Sequence, residues 1–431
     1  YMNTAVSAFL SRHNFVRHID VNFVAESILD DMNRGLCGKK ADEDMIPTWC
    51  LPPEKSITNK SVIVIDAGGT NFRSSLVTFD EKGNAEISNM KKTRMPGVEK
   101  ELNKKEFFDE FAKNLEHLKG MSDTIGFCFS YPMEITKDGD GILLGFSKEV
   151  KAPEVIGNPI GKCLKAALVE HGWQEPKKVT MLNDTVAALL AGKAAAKGYP
   201  YSSYIGFILG TGMNAAYIQP EIPSRKDFKK QIVVCESGKT KSVILSDFDK
   251  AYDAKSQKPG TFYMEKQCAG AYLGAVALEM LKTAAQEELF SEKIASSLLA
   301  LESFTTIEMN EFLHAPYSTE NSFGKFAAEN NATQEDYDVL YELFDALAER
   351  SARCAAAILT AAVVQSGEGK CASKPVCINC DGSTFWLTYK ISSRVQGYLD
   401  EVLTIQKGLY WRIVCLDNDI TIGTAIAGLV D

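Results

Sequence analysis

Apolar and polar positions alternate along this chain in a pattern that switches repeatedly between strand and helix periods. In "VIVIDAGGTNFRSSLVTFD", Val62 to Asp80, an uncharged β-branched run is followed by a polar turn and a second apolar run at Leu76–Phe79. That order predicts strand, turn, strand. Ahead of it, residues 4–36 carry two helical patterns, the second being "VNFVAESILDDMNRGL" with Phe23, Ile28, Leu29 and Met32 near helical spacing. The Pro-rich "MIPTWCLPPEKS" reads as an extended connection. Downstream, "KKEFFDEFAKNLEHLKG" predicts an amphipathic helix and "DTIGFCFS" a strand running into the polar turn "YPMEITKDGDG". A short strand at "KKVTMLND" precedes the Ala/Leu-rich helix "TVAALLAGKAAAKG", and "YIGFILGTGMNAAYI" again reads strand, glycines, strand. The middle third is helical, over 267–299 and over the long "VLYELFDALAERSARCAAAILTAAVVQSG". Near the end come "VCINCDGSTFW", strand then turn, and "WRIVCLDNDITIGTAIAGLV", strand, turn and short helix.

An apolar strand followed by a Gly/Asp/Thr turn thus occurs near Asp66, near Gly210 and near Asp381. A plain hairpin accounts for Gly68-Gly69, but not for the density of hydrogen-bonding groups beside them. A tight glycine turn also lets backbone N–H groups approach a phosphate, and Asp66 could hold a magnesium ion through water. Duplicated strand–turn units facing one cleft suit a two-domain nucleotide enzyme, and periodicity alone suits an unrelated α/β transport or binding protein equally. Neither G-x-x-x-x-G-K-[ST] nor G-x-G-x-x-G follows the first strand, which counts against a phosphate-loop NTPase and a dinucleotide fold.

A chain of 431 residues predicts at least two domains. With 45% hydrophobic residues, 24% charged and a net charge of -9, it reads as a globular protein without the basic footprint of a nucleic-acid partner. No run of 18 apolar residues predicts a membrane span, and the N-terminal stretch lacks the basic flank and apolar core of a secretory signal. The eleven cysteines, an odd number in mostly apolar contexts, predict reduced thiols and a cytoplasmic location. "CASKPVCINC" groups Cys371, Cys377 and Cys380, yet there is no second ligand pair at zinc spacing and only five His residues. These read as strand cysteines inside a core.

Taken together the segments resemble the eukaryotic-type hexokinase family of the sugar-kinase and actin superfamily. "IDAGGTNFR" is similar to that family's first phosphate motif and "LGTGMNAAY" to its second. "GFCFSYP", "LGFSKEV", "LNDTVAALLAG", "VVCESG" and "PGTFYMEKQCAGAYLG" resemble its sugar-binding segments, and "MIPTWCLPP" the stretch before the first phosphate strand. The resemblance implies an α/β fold of two actin-like (ribonuclease H-like) lobes around a central cleft, each with a mixed five-stranded sheet and helices. Residues 1–55 would be N-terminal helices and a connection packing on the large lobe, 56–184 the small lobe, and 185–431 the large lobe. A C-terminal return to the small lobe is expected to be short or absent. The implied activity is transfer of the γ-phosphoryl group of ATP, with Mg2+, to the 6-hydroxyl of a hexose such as glucose, by a cytoplasmic monomer or homodimer. Open beside it stand a kinase for fructose, mannose or an N-acetylhexosamine, and a catalytically weak sugar sensor of the same fold. A structural or chaperone-like ATPase of the superfamily would not need the sugar-side residues together.

Read residue by residue, "ND" before an Ala-rich helix is a cap by local chemistry, whereas the resemblance makes Asp184 the general base. It implies sugar contacts at Ser130, Pro132, Ser147, Lys148 (also with a catalytic part), Asn183, Asp184, Glu236 and Glu265. Carboxylates and amides of this kind suit a polyol, because a missing hydroxyl leaves buried groups unpaired. For the nucleotide it implies Asp66, Gly68, Gly69, Thr70, Asn71 and Arg73 at the first turn, then Gly210, Thr211, Gly212 and Asn214 at the second. Gly382 and Ser383 match the adenosine motif, Gly423 the terminal turn, and Lys92 a lysine near the phosphates, with Lys91 competing beside it. Three departures stand out: an aromatic is missing at Ser237, Glu149 stands near the cleft mouth, and Ile422 occupies a terminal turn that relatives fill with small or polar residues. A bulky Ile422 beside the base predicts weak discrimination between ATP and GTP.

Overall fold

A strand that is apolar on both faces has to be covered on both. The computed structural model, which describes residues 4–146, 150–196 and 198–430, does this for Val62–Ile65. Ile63 and Ile65 join a core with Phe107, Phe108 and Phe111 of the helix Lys104–Leu115 and with Leu164 and Leu168 of the helix Ile160–Glu170. Val62 and Val64 face the other way, into a core that also holds Ala216, Ile218, Ile232 and Val234 of the second sheet.

The first sheet runs Ala85–Arg94, Asn71–Phe79, Lys60–Gly68, Thr124–Phe129, Lys178–Leu182 in spatial order. Its first three strands are antiparallel neighbours, and the last two run parallel to Lys60–Gly68. The second sheet repeats the scheme. Gln231–Val234, Met213–Gln219 and Ser203–Leu209 are antiparallel, and Val376–Asp381 and Trp411–Val414 follow in parallel. It has six strands rather than the expected five, because Ile46–Pro47 in the Pro-rich connection pairs with Val233 and Val234 at its edge. The Asp381 turn is therefore no third copy of the hairpin. It corresponds to the turn at Ser130, on the strand parallel to the hairpin's first.

Between the two sheets lie the helices Asp184–Ala195 and Asp419–Leu429. Both are apolar on nearly all sides, as helices buried all round must be. The second is the C-terminal return to the small lobe, short rather than absent. A side chain at Gly428 would meet the backbone of Gly126 at 2.9 Å, and Lys178 Nζ donates to the Val430 carbonyl.

The long helix Gln334–Ser366 starts on a Thr333/Asp336 capping box and ends at Gly367 with φ of 71°, both standard start and stop devices. It backs the second sheet together with the helix Val21–Leu36 and links that core to a helical layer around Phe248, Phe312 and Phe344. The helix expected over 267–299 is three pieces, Tyr263–Cys268, Leu273–Gln286 and Glu292–Ala300. The first break lies where Gly270 N–H donates to the Gly210 carbonyl at 2.8 Å. The polar turn after Ser130 contains a small hairpin of Met133–Ile135 with Gly141–Leu143. Cys377 and Cys380 are buried in their strand, and Cys371 is exposed. Among the described residues no helix is long and apolar enough to cross a membrane.

Candidate active site

The helix that begins at Asp184 is capped by its neighbour. Asn183 Oδ1 accepts from the Thr185 N–H at 2.9 Å and the Thr185 hydroxyl at 2.6 Å. That leaves the amide NH2 of Asn183 as the donor for a ligand. Asp184 is then the first helical residue, its Oδ1 accepting from Thr185 N–H at 2.8 Å. A helix N-terminus and a backbone donor both favour a charged carboxylate. Burial opposes them and wins, assisted by the negative charges of Glu236, Asp66 and Asp381, so Asp184 is pushed up to about 7. A carboxyl poised there can hold or release a proton at neutral pH.

Ser130, Pro132, Asn183 and Glu236 line one cleft of about 1180 Å³, with Trp49 and Tyr131 in its walls. Ser130 follows the strand Thr124–Phe129, and its N–H donates to Ala67 O at 3.0 Å. Glu236 comes from the opposite sheet, one residue beyond Cys235, in left-handed backbone with φ of 58°. That conformation is costly for a residue with a side chain. Asn214 sustains it: its Oδ1 accepts from Glu236 N–H at 3.0 Å and its Nδ2 donates to Glu236 Oε1 at 3.0 Å. Asn214, matched to the nucleotide turn from sequence, is thus engaged with Glu236, because the strand Met213–Gln219 turns its amide to the neighbouring strand end. Glu265 stands alongside, Oε2 accepting from Met213 N–H at 3.0 Å and Oε1 from the Tyr272 hydroxyl at 3.1 Å. Burial raises the carboxyls of Glu236 and Glu265. Ser147 and Lys148 lie outside the described residues.

On the nucleotide side, Gly68 pairs with Asn71, so Gly69 and Thr70 form a two-residue hairpin turn, with Gly69 at φ of 55°. Tyr131 Oη donates to Gly69 O at 2.9 Å and anchors the turn. The register puts Lys92, Arg73, Asp66 and Cys128 in one row across four strands. Arg73 Nη1 donates to Asp66 Oδ2 at 3.0 Å, although burial still raises the Asp66 carboxyl. Lys91 pairs with Ser74, one position along, so its side chain leaves from the opposite face. Lys92 is therefore the lysine that shares a face with Asp66.

The second turn abuts the adenosine motif. Gly210 O accepts from Gly270 N–H and from the Thr384 hydroxyl, each at 2.8 Å, and Ala271 N–H donates to Thr211 O at 3.2 Å. A side chain at Gly382 would meet Leu209 O at 2.3 Å, and one at Gly212 would meet Glu265 Oε2 at 2.9 Å. Ser383 opens the short helix after Gly382. Gly423 does not join this group. It is buried inside the helix Asp419–Leu429, where a Cβ would stand 1.8 Å from Ala187 O, so helix crossing accounts for the glycine. Ile422 packs beside it against the inter-sheet core.

Asp184 feels the negative charges of Asp66 and Asp381, and Arg73 is bonded to Asp66. Hard carboxylate oxygens fit magnesium, which would in turn carry phosphate oxygens. Among the described residues no three acidic, His or Cys groups close on one point; Asp66 could hold a magnesium ion through water, with the nucleotide completing its shell. Sequence reasoning missed Asp381 and Tyr272 as members of the site. Asp381 was legible as the residue ending an apolar strand before Gly382; Tyr272, seven residues after Glu265, carried no local signal.

Residues 10–194 and 204–430 match two family models, each described as hexokinase. Hexokinase-1 of Schizosaccharomyces pombe is 26% identical over 436 residues, covering 95% of this chain and 87% of its own. Hexokinase-2 of Rattus norvegicus is 26% identical over 79% of this chain, and the chain spans 39% of that longer protein. A solved hexokinase from Schistosoma mansoni complexed with glucose superposes with a TM-score of 0.80 at 22% identity, over 99% of this chain and 98% of that one. With one model alone spanning more than half of the 431 residues, the two-lobed α/β chain belongs to the hexokinase family.

Proposed function

We propose that the protein is an ATP-dependent hexokinase that phosphorylates the 6-hydroxyl of a hexose, glucose first among candidates, with Asp184 as general base. The observation that carries this reading is Asp184 itself, held at about 7 between the carboxylates of both sheets. Phosphoryl transfer asks little covalent chemistry of the protein. Bound magnesium and ATP would supply the transferable phosphoryl group and the charge that offsets it. The chain's own residues do the rest. Ser130, Asn183, Glu236 and Glu265, with Lys148, bind and orient the sugar so that its hydroxyl meets Asp184. Asp184 accepts the proton as that oxygen attacks. Asp66 would hold magnesium through water. Backbone donors of the turns at Gly68–Asn71 and Gly210–Gly212, with Thr70, Thr211, Arg73 and Lys92, would hold the phosphates, and Gly382 and Ser383 the adenosine.

The test is ATP-coupled turnover of glucose, fructose, mannose and N-acetylglucosamine, with and without Mg2+. Mg2+-dependent turnover of at least one supports the reading, and the fastest names the substrate. Binding without turnover of any of them would make the protein a sugar sensor, and neither binding nor turnover would sink the sugar assignment.

A further inference from the structure

The segment from Glu265 to Leu273 does two jobs in nine residues. At one end it presents Glu265. Five residues on, Gly270 and Ala271 donate to Gly210 O at 2.8 Å and Thr211 O at 3.2 Å, fastening the segment to the second glycine turn. Tyr272 then folds back, and its hydroxyl donates to Glu265 Oε1 at 3.1 Å. The other oxygen, Oε2, is held by Met213 N–H at 3.0 Å, from the strand that leaves the same turn. Gly212 and Gly238 both press on the glutamate: a Cβ at Gly212 would meet Oε2 at 2.9 Å, and one at Gly238 would meet Glu265 Cβ at 3.0 Å. The glutamate is thus pinned at both oxygens, and only one of the two donors is a side chain.

We propose that Tyr272 is a positioning residue for the hexose: its hydroxyl fixes the Glu265 carboxylate and ties it to the Gly210–Gly212 turn. This rests on the reading of Glu265 as a sugar contact. Tyr272 is suited to the task chemically. Burial and the Glu265 carboxylate push its phenol well above the usual range, so it stays a donor throughout the working pH. Its ring is half-buried beside Tyr252, at 6.1 Å between centroids, so packing holds the ring while the hydroxyl does the orienting. A hydrogen bond to a charged acceptor is among the stronger kinds, and its loss frees a side chain with three rotatable bonds.

Y272F removes the hydroxyl and keeps the ring, so a purely structural role would leave it silent. The expected result is a hexose KM raised about tenfold, with the KM for MgATP within twofold. D-glucose affinity, followed through Trp49 in the cleft wall, should weaken by the same factor without nucleotide. Y272L, which also loses the ring, should add instability without a further change of that split. Y272F kinetics matching the parent, with only Y272L impaired, would reduce Tyr272 to packing and overturn the proposal. E265A separates the two levels. If E265A weakens glucose binding and Y272F does not, the positioning role fails and the sugar contact stands. If E265A leaves glucose binding unchanged, the contact fails and the positioning role with it.

Discussion

At the scale of single residues, the proposed chemistry rests on Asp184, whose carboxyl rises from an ordinary 3.8 to about 7 through burial first and acidic neighbours second. A general base has to be ionised, so kcat/KM should fall about tenfold per pH unit below ~7 and level off above it. A profile flat from pH 5 to 8 would remove Asp184 from that role. D184N should lower kcat by at least ~100-fold, the usual size of base assistance, and turnover within threefold of the parent would refute the assignment. The same shift has a thermodynamic consequence. Between about 4 and about 7 the folded protein keeps a proton that the unfolded chain has released, so stability falls as pH rises through this window and stays lowered above it. D184N removes the cost of the buried charge, so its Tm should exceed the parent's at pH 8 and approach it at pH 4. Equal Tm values at pH 8 would mean that the site is wetter than its geometry implies. Asn214 shows a limit of reading residues one at a time. Its place after "GTGM" pointed to phosphate, but the antiparallel register hands its amide to Glu236 instead.

At the scale of elements, strands and helices with strong periodicity are legible in the amino-acid pattern, because their apolar faces are what they bury. The hairpin at Asp66, the helix after Asn183 and the long helix to Ser366 all fall where the pattern puts them. What escaped was set by partners distant in sequence. The two-residue strand Ile46–Pro47 exists only because Val233 and Val234 lie beside it. The terminal motif is likewise shaped from a distance. The glycine of "ITIGTAIAG", matched by resemblance to a nucleotide turn, packs against Ala187 of another helix. Two substitutions follow from that packing. G423A puts a methyl 1.8 Å from Ala187 O, so the helices must part, at a cost of about 1–3 kcal/mol typical of overpacking. I422A should cost about 1–2 kcal/mol as a partly buried apolar truncation and leave the KM values for ATP and GTP within twofold. Urea midpoints and the two nucleotide KM values check both. A G423A midpoint equal to the parent's, or a nucleotide KM shifted tenfold by I422A, would return this helix to the nucleotide site.

At the scale of the whole molecule, the two sheets pack on the pair of helices between them, and the residues proposed to bind sugar stand on both walls of the gap. Ser130 follows a strand of the first sheet and Glu236 a strand of the second. Their cleft, at about 1180 Å³, exceeds the ~300–1,000 Å³ of an ordinary small-molecule site. A single hexose would leave most of that volume unfilled. Water left beside the sugar would compete for the phosphoryl group, and closing the walls removes it. A ligand shifts such an equilibrium only through contacts that are better in the closed state, and the opposed positions of Ser130 and Glu236 provide them. Small-angle scattering should therefore give a smaller radius of gyration with saturating glucose than without, and E236A should reduce or abolish the change. An unchanged radius together with glucose binding detected through Trp49 would mean that the lobes are fixed and that water is excluded some other way.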